Sequence, residues 1–220
     1  MINIIFISPP GAGKGTQAQF ISDKYNIPAI SFGELLREEA RTGSELGNHI
    51  HELQTKGILV EDDTCIKVLE KRLKSDDCKN GFILDGYQRS MEQVYLYDDL
   101  IKRLGLDFGI VIFLNPPYDE IKKRIVGRVI CPNCKAIFND QIDFLNSKVE
   151  GICDICNSTL IKRSDDNEES YKTRYNVYIN QTKPVIDCYK ERGVLYEIDD
   201  VDMSTVTSKI IDIIEGNLWL

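Results

Sequence analysis

A glycine-rich stretch near the start of the chain has the residue types that bind phosphate groups. It covers residues 8–16, Ser-Pro-Pro-Gly-Ala-Gly-Lys-Gly-Thr, between an apolar run that predicts a buried strand and a run that predicts a helix. Glycines there let backbone N–H groups point at an anion, and the helix N-terminus adds a positive dipole end. We therefore expect Lys14 to reach the terminal phosphates of a nucleotide and Thr16 to place its hydroxyl near Mg²⁺.

The loop departs from the common phosphate-loop pattern, in which a glycine comes first and Ser or Thr follows the lysine directly. Here Ser8 takes the place of the first glycine, and Gly15 separates Lys14 from Thr16. The run Gly13-Lys14-Gly15-Thr16 resembles the loop of the nucleoside monophosphate kinases, adenylate kinase above all. Ser8 departs from that family too, and we expect local strain if its position needs a positive φ.

A second segment whose residue types could bind a ligand begins at Asp85. This aspartate ends an apolar run that predicts a strand. Open α/β sheets bind ligands at the carboxyl ends of their strands, so an aspartate there predicts a Mg²⁺ site, reached through water. Residues 85–90 resemble the D-G-F/Y-P-R-T signature of adenylate kinases. The resemblance implies that Arg89 contacts phosphate and that Gln93 reads the adenine edge. Gln88 replaces the proline, which we expect to give the loop more backbone freedom and to weaken AMP binding modestly.

Further arginines match phosphate-holding segments of the family. Arg124 and Arg128 are four residues apart, which would place them on one helical face, and they match its R-x-x-G-R segment. Arg163 begins a run that resembles the return from lid to core, and Arg174 matches an arginine on the helix that follows. Phosphoryl transfer needs positioning and positive charge more than it needs a base. The expected catalytic set is Lys14, Arg89, Arg124, Arg128, Arg163 and Arg174.

The resemblance also implies two nucleotide sites. The ATP-binding positions correspond to Gly11, Ala12, Gly13, Lys14, Gly15, Thr16, Arg128, Ile137, Phe138 and Asp202. The AMP-binding positions correspond to Phe32, Arg37, Ile58, Leu59, Val60, Gly86, Tyr87, Gln88, Arg89, Gln93, Arg163 and Arg174. In the family's S-T-G-D motif a threonine lies close to AMP. Here that position is Phe32, which cannot form a hydrogen bond but can pack on a purine face.

Four of the seven cysteines form two C-x-x-C pairs, Cys131 with Cys134 and Cys153 with Cys156, and 18 residues separate the pairs. In a reducing compartment this spacing favours metal over disulfides. Four thiolates satisfy tetrahedral Zn²⁺, so we predict a structural zinc ribbon with short strands at 136–138 and 149–152. The family has a matching form, in which a four-ligand zinc site braces the mobile lid over ATP.

Strands that alternate with helices must position these residues, and this order implies a parallel sheet covered on both faces. The resemblance implies an α/β P-loop kinase core with a five-stranded parallel sheet flanked by helices, built from residues 1–30, 60–127 and 166–220. A small helical AMP-binding insert would cover 31–59, and the zinc-binding lid 128–165. Ser31 and Glu34 form a capping-box pattern at the first helix of the insert. Ala18, Phe20 and Ile21 form the expected apolar side of the helix after the phosphate loop.

Composition limits the partners that the chain can bind. Its formal net charge is −8 and its isoelectric point is about 4.9, so general affinity for nucleic acid or an anionic membrane is disfavoured. The sequence has no 18-residue apolar run and no basic start, so we expect neither a membrane span nor a signal peptide. The expectation is a cytoplasmic monomer that binds ATP, AMP and ADP, uses Mg²⁺ with ATP and holds one structural Zn²⁺.

The resemblance implies the reaction ATP + AMP ⇌ 2 ADP, with two closing flaps that exclude water. Two alternatives remain at this point. The same chemistry could serve another acceptor or donor, as in a UMP/CMP kinase or a GTP-dependent enzyme, although Gln93 favours adenine because its amide can both donate and accept. The second alternative is a zinc-ribbon protein that binds nucleic acid and uses ATP as a regulator. The acidity of the chain counts against this alternative.

Overall fold

The computed structural model describes residues 2–55, 60–134, 136–142, 145–162 and 166–217. The strands are β1 Ile2–Ile7, β2 Ala29–Ser31, β3 Gly81–Asp85, β4 Ile110–Leu114, β5 Arg128–Ile130, β6 Ile137–Asn139 and β7 Leu195–Ile198. The α-helices are α1 Lys14–Tyr25, α2 Phe32–Arg41, α3 Glu45–Thr55, α4 Asp62–Leu73, α5 Met91–Leu104, α6 Tyr118–Val126, α7 Glu168–Val177, α8 Lys183–Glu191 and α9 Met203–Asn217. A π-helical turn, Tyr178–Thr182, joins α7 to α8.

The core is a five-stranded sheet in the order β2-β3-β1-β4-β7, and every pair of neighbours is parallel. All six residues of the central strand β1 are buried, because helices cover both faces of the sheet. Ile4 of β1 is paired in register with Ile83 of β3 and Ile110 of β4. The predicted five-stranded parallel α/β core is therefore confirmed.

The helices bury one apolar cluster on each face of the sheet. On one face Leu69 of α4 and Tyr97 of α5 are fully buried, and on the other Ile21 of α1 and Ile210 of α9 are fully buried. Full burial of an aliphatic side chain such as Leu69, Ile21 or Ile210 stabilises the fold by about 1.5–3 kcal/mol, so contacts of this kind hold both helical layers on the sheet. Phe20 does not belong to the apolar side of α1, because its side chain is 49% exposed. That prediction was wrong.

The insert between β2 and α4 contains the helices α2 and α3, which pack against each other. Ser31 is the N-cap of α2 but makes no side-chain capping bond. Glu34 instead accepts hydrogen bonds from Arg37 at 2.6 and 2.9 Å, so the predicted capping box is not formed. Buried Glu39 of α2 accepts a 2.7 Å bond from Lys71 of α4, which ties the insert to the core.

The cysteine-rich segment contains an antiparallel pair, β5 with β6. The predicted strand at 136–138 is confirmed by β6, shifted by one residue. The strand predicted at 149–152 is not formed, since Ile152 makes only an isolated bridge to Thr159. In the part of the chain that the structure describes, no helix combines the length and apolarity that crossing a bilayer requires.

Candidate active site

The phosphate loop joins β1 to α1 with two glycines in the left-handed region, Gly11 at φ 87° and Gly13 at φ 91°. A Cβ on Gly11 would lie 2.4 Å from Cγ1 of Ile125, so both conformation and space require glycine there. Ser8 does not have a positive φ, and the strain expected at that position is absent. Its buried hydroxyl accepts a 2.8 Å hydrogen bond from Lys14 Nζ.

Lys14 lies where the ends of β1 and β3 meet, and its Nζ is 3.8 Å from Oδ1 of Asp85. Desolvation lowers the pKa of Lys14, while the Asp85 carboxylate opposes that shift and the cations Arg89 and Arg174 add to it. An ammonium that has lost part of its hydration interacts strongly with an incoming anion. The residue predicted to bind phosphate and the residue predicted to hold Mg²⁺ thus lie side by side.

A cavity of about 400 Å³ opens above these two residues, a volume within the range of small-molecule sites. Charged side chains from three parts of the chain line it: Lys14 from the phosphate loop, Asp85 and Arg89 from the end of β3, and Arg174 from α7. Further lining residues are Ser8, Pro10, Gly11, Ser31, Gly33, Gly86, Tyr87, Gln88, Tyr178 and Thr182. This surplus of positive charge suits a polyanionic ligand.

The loop after β3 holds Arg89 through its own hydrogen bonds. Arg89 donates from Nε to the carbonyl oxygen of Gly86 at 2.8 Å, and its backbone N–H donates to Oε1 of Gln93 at 2.8 Å. Gln93 Nε2 donates to Oδ1 of Asp62 at 2.6 Å. Both ends of the Gln93 amide are thus engaged within the protein, so reading an adenine edge requires at least one of these bonds to open.

Gln88 does not give the loop the freedom expected from the loss of proline. It has a φ of 66°, which the proline ring cannot adopt. Its side chain is 1% exposed, and Oε1 accepts a 2.7 Å hydrogen bond from the hydroxyl of Tyr189. The residue is held in place by burial and by a hydrogen bond.

Arg124 and Arg128 do not share a helical face, contrary to prediction. Helix α6 ends at Val126, Gly127 is its C-cap, and Arg128 lies in β5. Arg124 donates to the carbonyl oxygen of Val201 at 2.5 Å and is close to the phosphate loop, since a Cβ on Gly13 would lie 3.8 Å from its Nη1.

Arg128 forms a two-point ion pair with Asp166, whose side chain is fully buried, and Arg174 Nη1 lies 3.9 Å from the same carboxylate. Asp166 therefore connects the start of the cysteine-rich segment to α7. Asp166 is a site residue that was not predicted from the sequence. The signal for it was its place in the return segment at 163–166.

Neither of the two described AMP residues predicted in the insert, Phe32 and Arg37, lines the cavity, and nor does Val60, which follows the insert. Phe32 is buried with its ring 4.8 Å from that of Tyr87, so it packs in the core and does not line the cavity. Arg37 is on the surface with Glu34. Val60 packs against the core. Three predicted site residues, Ile58, Leu59 and Arg163, lie outside the described residues.

The predicted ATP residues beyond the phosphate loop occupy two other regions. Ile137 of β6 is 52% exposed, and the half-buried Phe138 packs beside the cysteines. Asp202 precedes α9, where its Oδ2 accepts hydrogen bonds from the Ser204 hydroxyl and from the backbone and hydroxyl of Thr205. These bonds lower the pKa of Asp202 to about 2, so its side chain serves helix capping.

The four predicted metal ligands come together. The Sγ atoms of Cys131, Cys134, Cys153 and Cys156 all lie within 4.8 Å of one another. The closest pairs are Cys131 with Cys156 at 3.3 Å and Cys134 with Cys153 at 3.5 Å. A tetrahedral Zn²⁺ with bonds of about 2.3 Å has sulfur atoms about 3.8 Å apart, so the cluster is compatible with zinc.

Comparison with known proteins agrees with this geometry. The family model described as adenylate kinase matches residues 6–194. The chain is 42% identical to an adenylate kinase of Archaeoglobus fulgidus over 97% of this chain and 98% of the relative. It is 41% identical to adenylate kinases of Thermosipho africanus, over 97% of this chain and 99% of the relative, and of Kosmotoga olearia, over 98% and 100%. With a family model over most of its length and relatives matched end to end, the chain belongs to the adenylate kinase family.

Proposed function

We propose that the reaction of this adenylate kinase, ATP + AMP ⇌ 2 ADP, takes place in the cavity above β1 and β3. The observation that carries the proposal is the convergence of Lys14, Asp85, Arg89 and Arg174 on one cavity beside a glycine loop. The moving phosphoryl group carries negative charge that these cations can stabilise in place of water. The match over nearly the whole chain favours this enzyme over a zinc-ribbon protein that binds nucleic acid.

The phosphate loop and three of the arginines have distinct proposed roles. Lys14 and the backbone of residues 11–16 hold the ATP phosphates, and Arg89 holds the phosphate of AMP. Arg124, beside the phosphate loop, contributes charge on the ATP side. Arg128 is paired with Asp166, so its contact with a phosphate requires that ion pair to open. No side chain is proposed as a nucleophile.

Two metal ions fit the chain. Asp85 offers a carboxylate at the cavity wall, 3.8 Å from Lys14, where it can hold the Mg²⁺ of Mg-ATP through water. Mg²⁺ neutralises phosphate charge when bound. The four clustered thiols would hold a structural Zn²⁺. The zinc would fix the fold of the lid and has no part in the transfer.

In this proposal the chain consists of three units with different roles. Residues 1–30, 60–127 and 166–220 form the core, 31–59 the AMP-binding insert, and 128–165 the lid over ATP. We propose that the ion pairs Glu39–Lys71 and Arg128–Asp166 break or re-form when the insert and the lid move, because each pair connects one of these units to the core. A cytoplasmic location, a monomeric state and the lack of nucleic-acid and membrane partners remain predictions.

The proposed acceptor is tested by measuring ADP formation from Mg-ATP with AMP, CMP, UMP or GMP at equal concentrations. We expect AMP to be the best acceptor, with the highest kcat/KM of the four. Equal rates with CMP or UMP would instead identify a pyrimidine nucleoside monophosphate kinase. The assay also tests whether Gln93 reads the base, because both ends of its amide are bonded within the protein in this structure.

Gln93→Ala should lower the preference for AMP over CMP, expressed as a ratio of kcat/KM values, by about tenfold, because an amide that pairs with the base edge is lost. Glu92→Ala is the matched control, since this exposed neighbour lies in the same helical turn. If Gln93→Ala raises KM equally for AMP and CMP, the residue only holds the Arg89 loop and does not read the base.

A further inference from the structure

We propose that Gln88 is a positioning residue for the AMP site and that it acts through the hydrogen bond from Tyr189. The inference rests on the proposed function, because it takes Arg89 as the group that holds the AMP phosphate. Gln88 lies in the loop between β3 and α5, and Tyr189 lies on α8, far along the chain. The Tyr189 hydroxyl donates to Oε1 of Gln88 at 2.7 Å, and this bond is buried.

Three unfavourable features coincide at Gln88. It is a non-glycine residue with a φ of 66°, it is 1% exposed, and its Nε2 has no hydrogen-bond partner among the described residues. Left-handed backbone and buried unpaired amide groups are each disfavoured, and they persist where surrounding contacts hold them in place. The Tyr189 bond is such a contact. Because this strained backbone lies beside the ligand cavity, we infer that ligand binding needs the left-handed conformation of Gln88.

The conformation of Gln88 sets the direction in which the chain enters Arg89. Arg89 is the next residue, its side chain lines the cavity, and its carbonyl oxygen accepts a 3.2 Å bond from the hydroxyl of Thr182. Thr182 belongs to the π-helical turn that leads into α8. Tyr189 and Thr182 therefore attach two successive loop residues to one helical run. Losing the Tyr189 bond frees Gln88 to leave the left-handed region, which changes where the Arg89 guanidinium points.

Tyr189 is itself well fixed. Its side chain is 0% exposed, its ring lies 5.5 Å from that of Phe108, and the Arg192 guanidinium lies over the ring at 5.3 Å. Replacement by phenylalanine keeps these ring contacts and removes only the hydroxyl. Tyr189→Phe is consequently a test of the hydrogen bond and not of the packing.

Tyr97→Phe is the matched control. Tyr97 is another fully buried tyrosine of the same apolar cluster, and its hydroxyl has no hydrogen-bond partner among the described residues. In steady-state assays Tyr189→Phe should raise KM for AMP about threefold to tenfold, the effect of one lost hydrogen bond, and leave KM for ATP within about twofold. Tyr97→Phe should change neither constant. An unchanged KM for AMP in Tyr189→Phe, or an equal rise for both nucleotides, would overturn the proposal.

Gln88→Met, which removes the acceptor but keeps the side-chain length, tests the pair from its other end. If the two residues act as a unit, the double variant with Tyr189→Phe should have a KM for AMP no higher than the worse single variant, whereas multiplied effects contradict the coupling. Arg89→Lys separates this inference from the proposed function. If Arg89→Lys leaves KM for AMP unchanged, the site assignment fails. If it raises that KM while Tyr189→Phe does not, only the role of Gln88 fails.

Discussion

Lys14→Met is expected to lower kcat by about a thousandfold or more while the fold remains intact, because phosphoryl transfer loses a dedicated cation. Lys14 Nζ lies at the cavity between Ser8 Oγ and Asp85 Oδ1, at 2.8 and 3.8 Å. Its pKa is lowered by desolvation, which means that the folded chain without ligand holds the charged lysine less favourably than water does. This desolvation cost offsets the hydrogen bond to Ser8 and the attraction to Asp85, so removing the charge should change the melting temperature little.

Lys24→Met serves as the control for this substitution, since Lys24 lies in the last turn of the same helix with its side chain 39% exposed. It should retain native turnover. The measurement is kcat for ADP formation at saturating AMP, together with the melting temperature of each variant. Near-native turnover in a folded Lys14→Met protein would remove the loop from the mechanism.

The purified protein is expected to contain about one zinc ion per chain, because four thiolates at these distances form a closed structural site. A strong chelator should lower the melting temperature on the order of 10 °C, since the ion binds the folded lid and not the unfolded chain. Metal analysis and calorimetry with and without chelator measure both effects. Hydrogen exchange should show that the segment around Cys131 and Cys153 loses protection first.

Cys134→Ser should reproduce the loss of zinc, whereas Cys188→Ser should not, because Cys188 is a partly buried cysteine on α8 outside the cluster. A zinc-free protein whose Cys131 and Cys134 react readily with an alkylating agent in the native state would contradict the metal site.

The sequence predicted best those features that depend on short segments. Apolar runs such as Ile2–Ile7 are too short for helices and can only be buried strands, so the sheet followed from local pattern. Lys14 and Asp85 lie close together because the neighbouring strands β1 and β3 are parallel and end at the same edge of the sheet. The cysteine spacing likewise predicted the cluster correctly.

Features that depend on tertiary contacts were not predictable in this way. The Asp166 ion pair joins segments 38 residues apart, and its formation depends on how the cysteine-rich segment folds back. Arg124 and Arg128 were assigned to one helix because their spacing fits, but Gly127 ends α6 between them. The buried side chain of Gln88 is bonded to a residue 101 positions away, which no local pattern contains.

The most direct test of the central claim is to give the purified protein ADP and Mg²⁺ alone and to follow the products by phosphorus NMR. Transfer between two nucleotides in one cavity predicts ATP and AMP in equal amounts, without inorganic phosphate, until equilibrium is reached. The same sample with Lys14→Met should stay as ADP over that time. Release of inorganic phosphate with AMP, or no conversion of ADP by the native protein, would contradict the account.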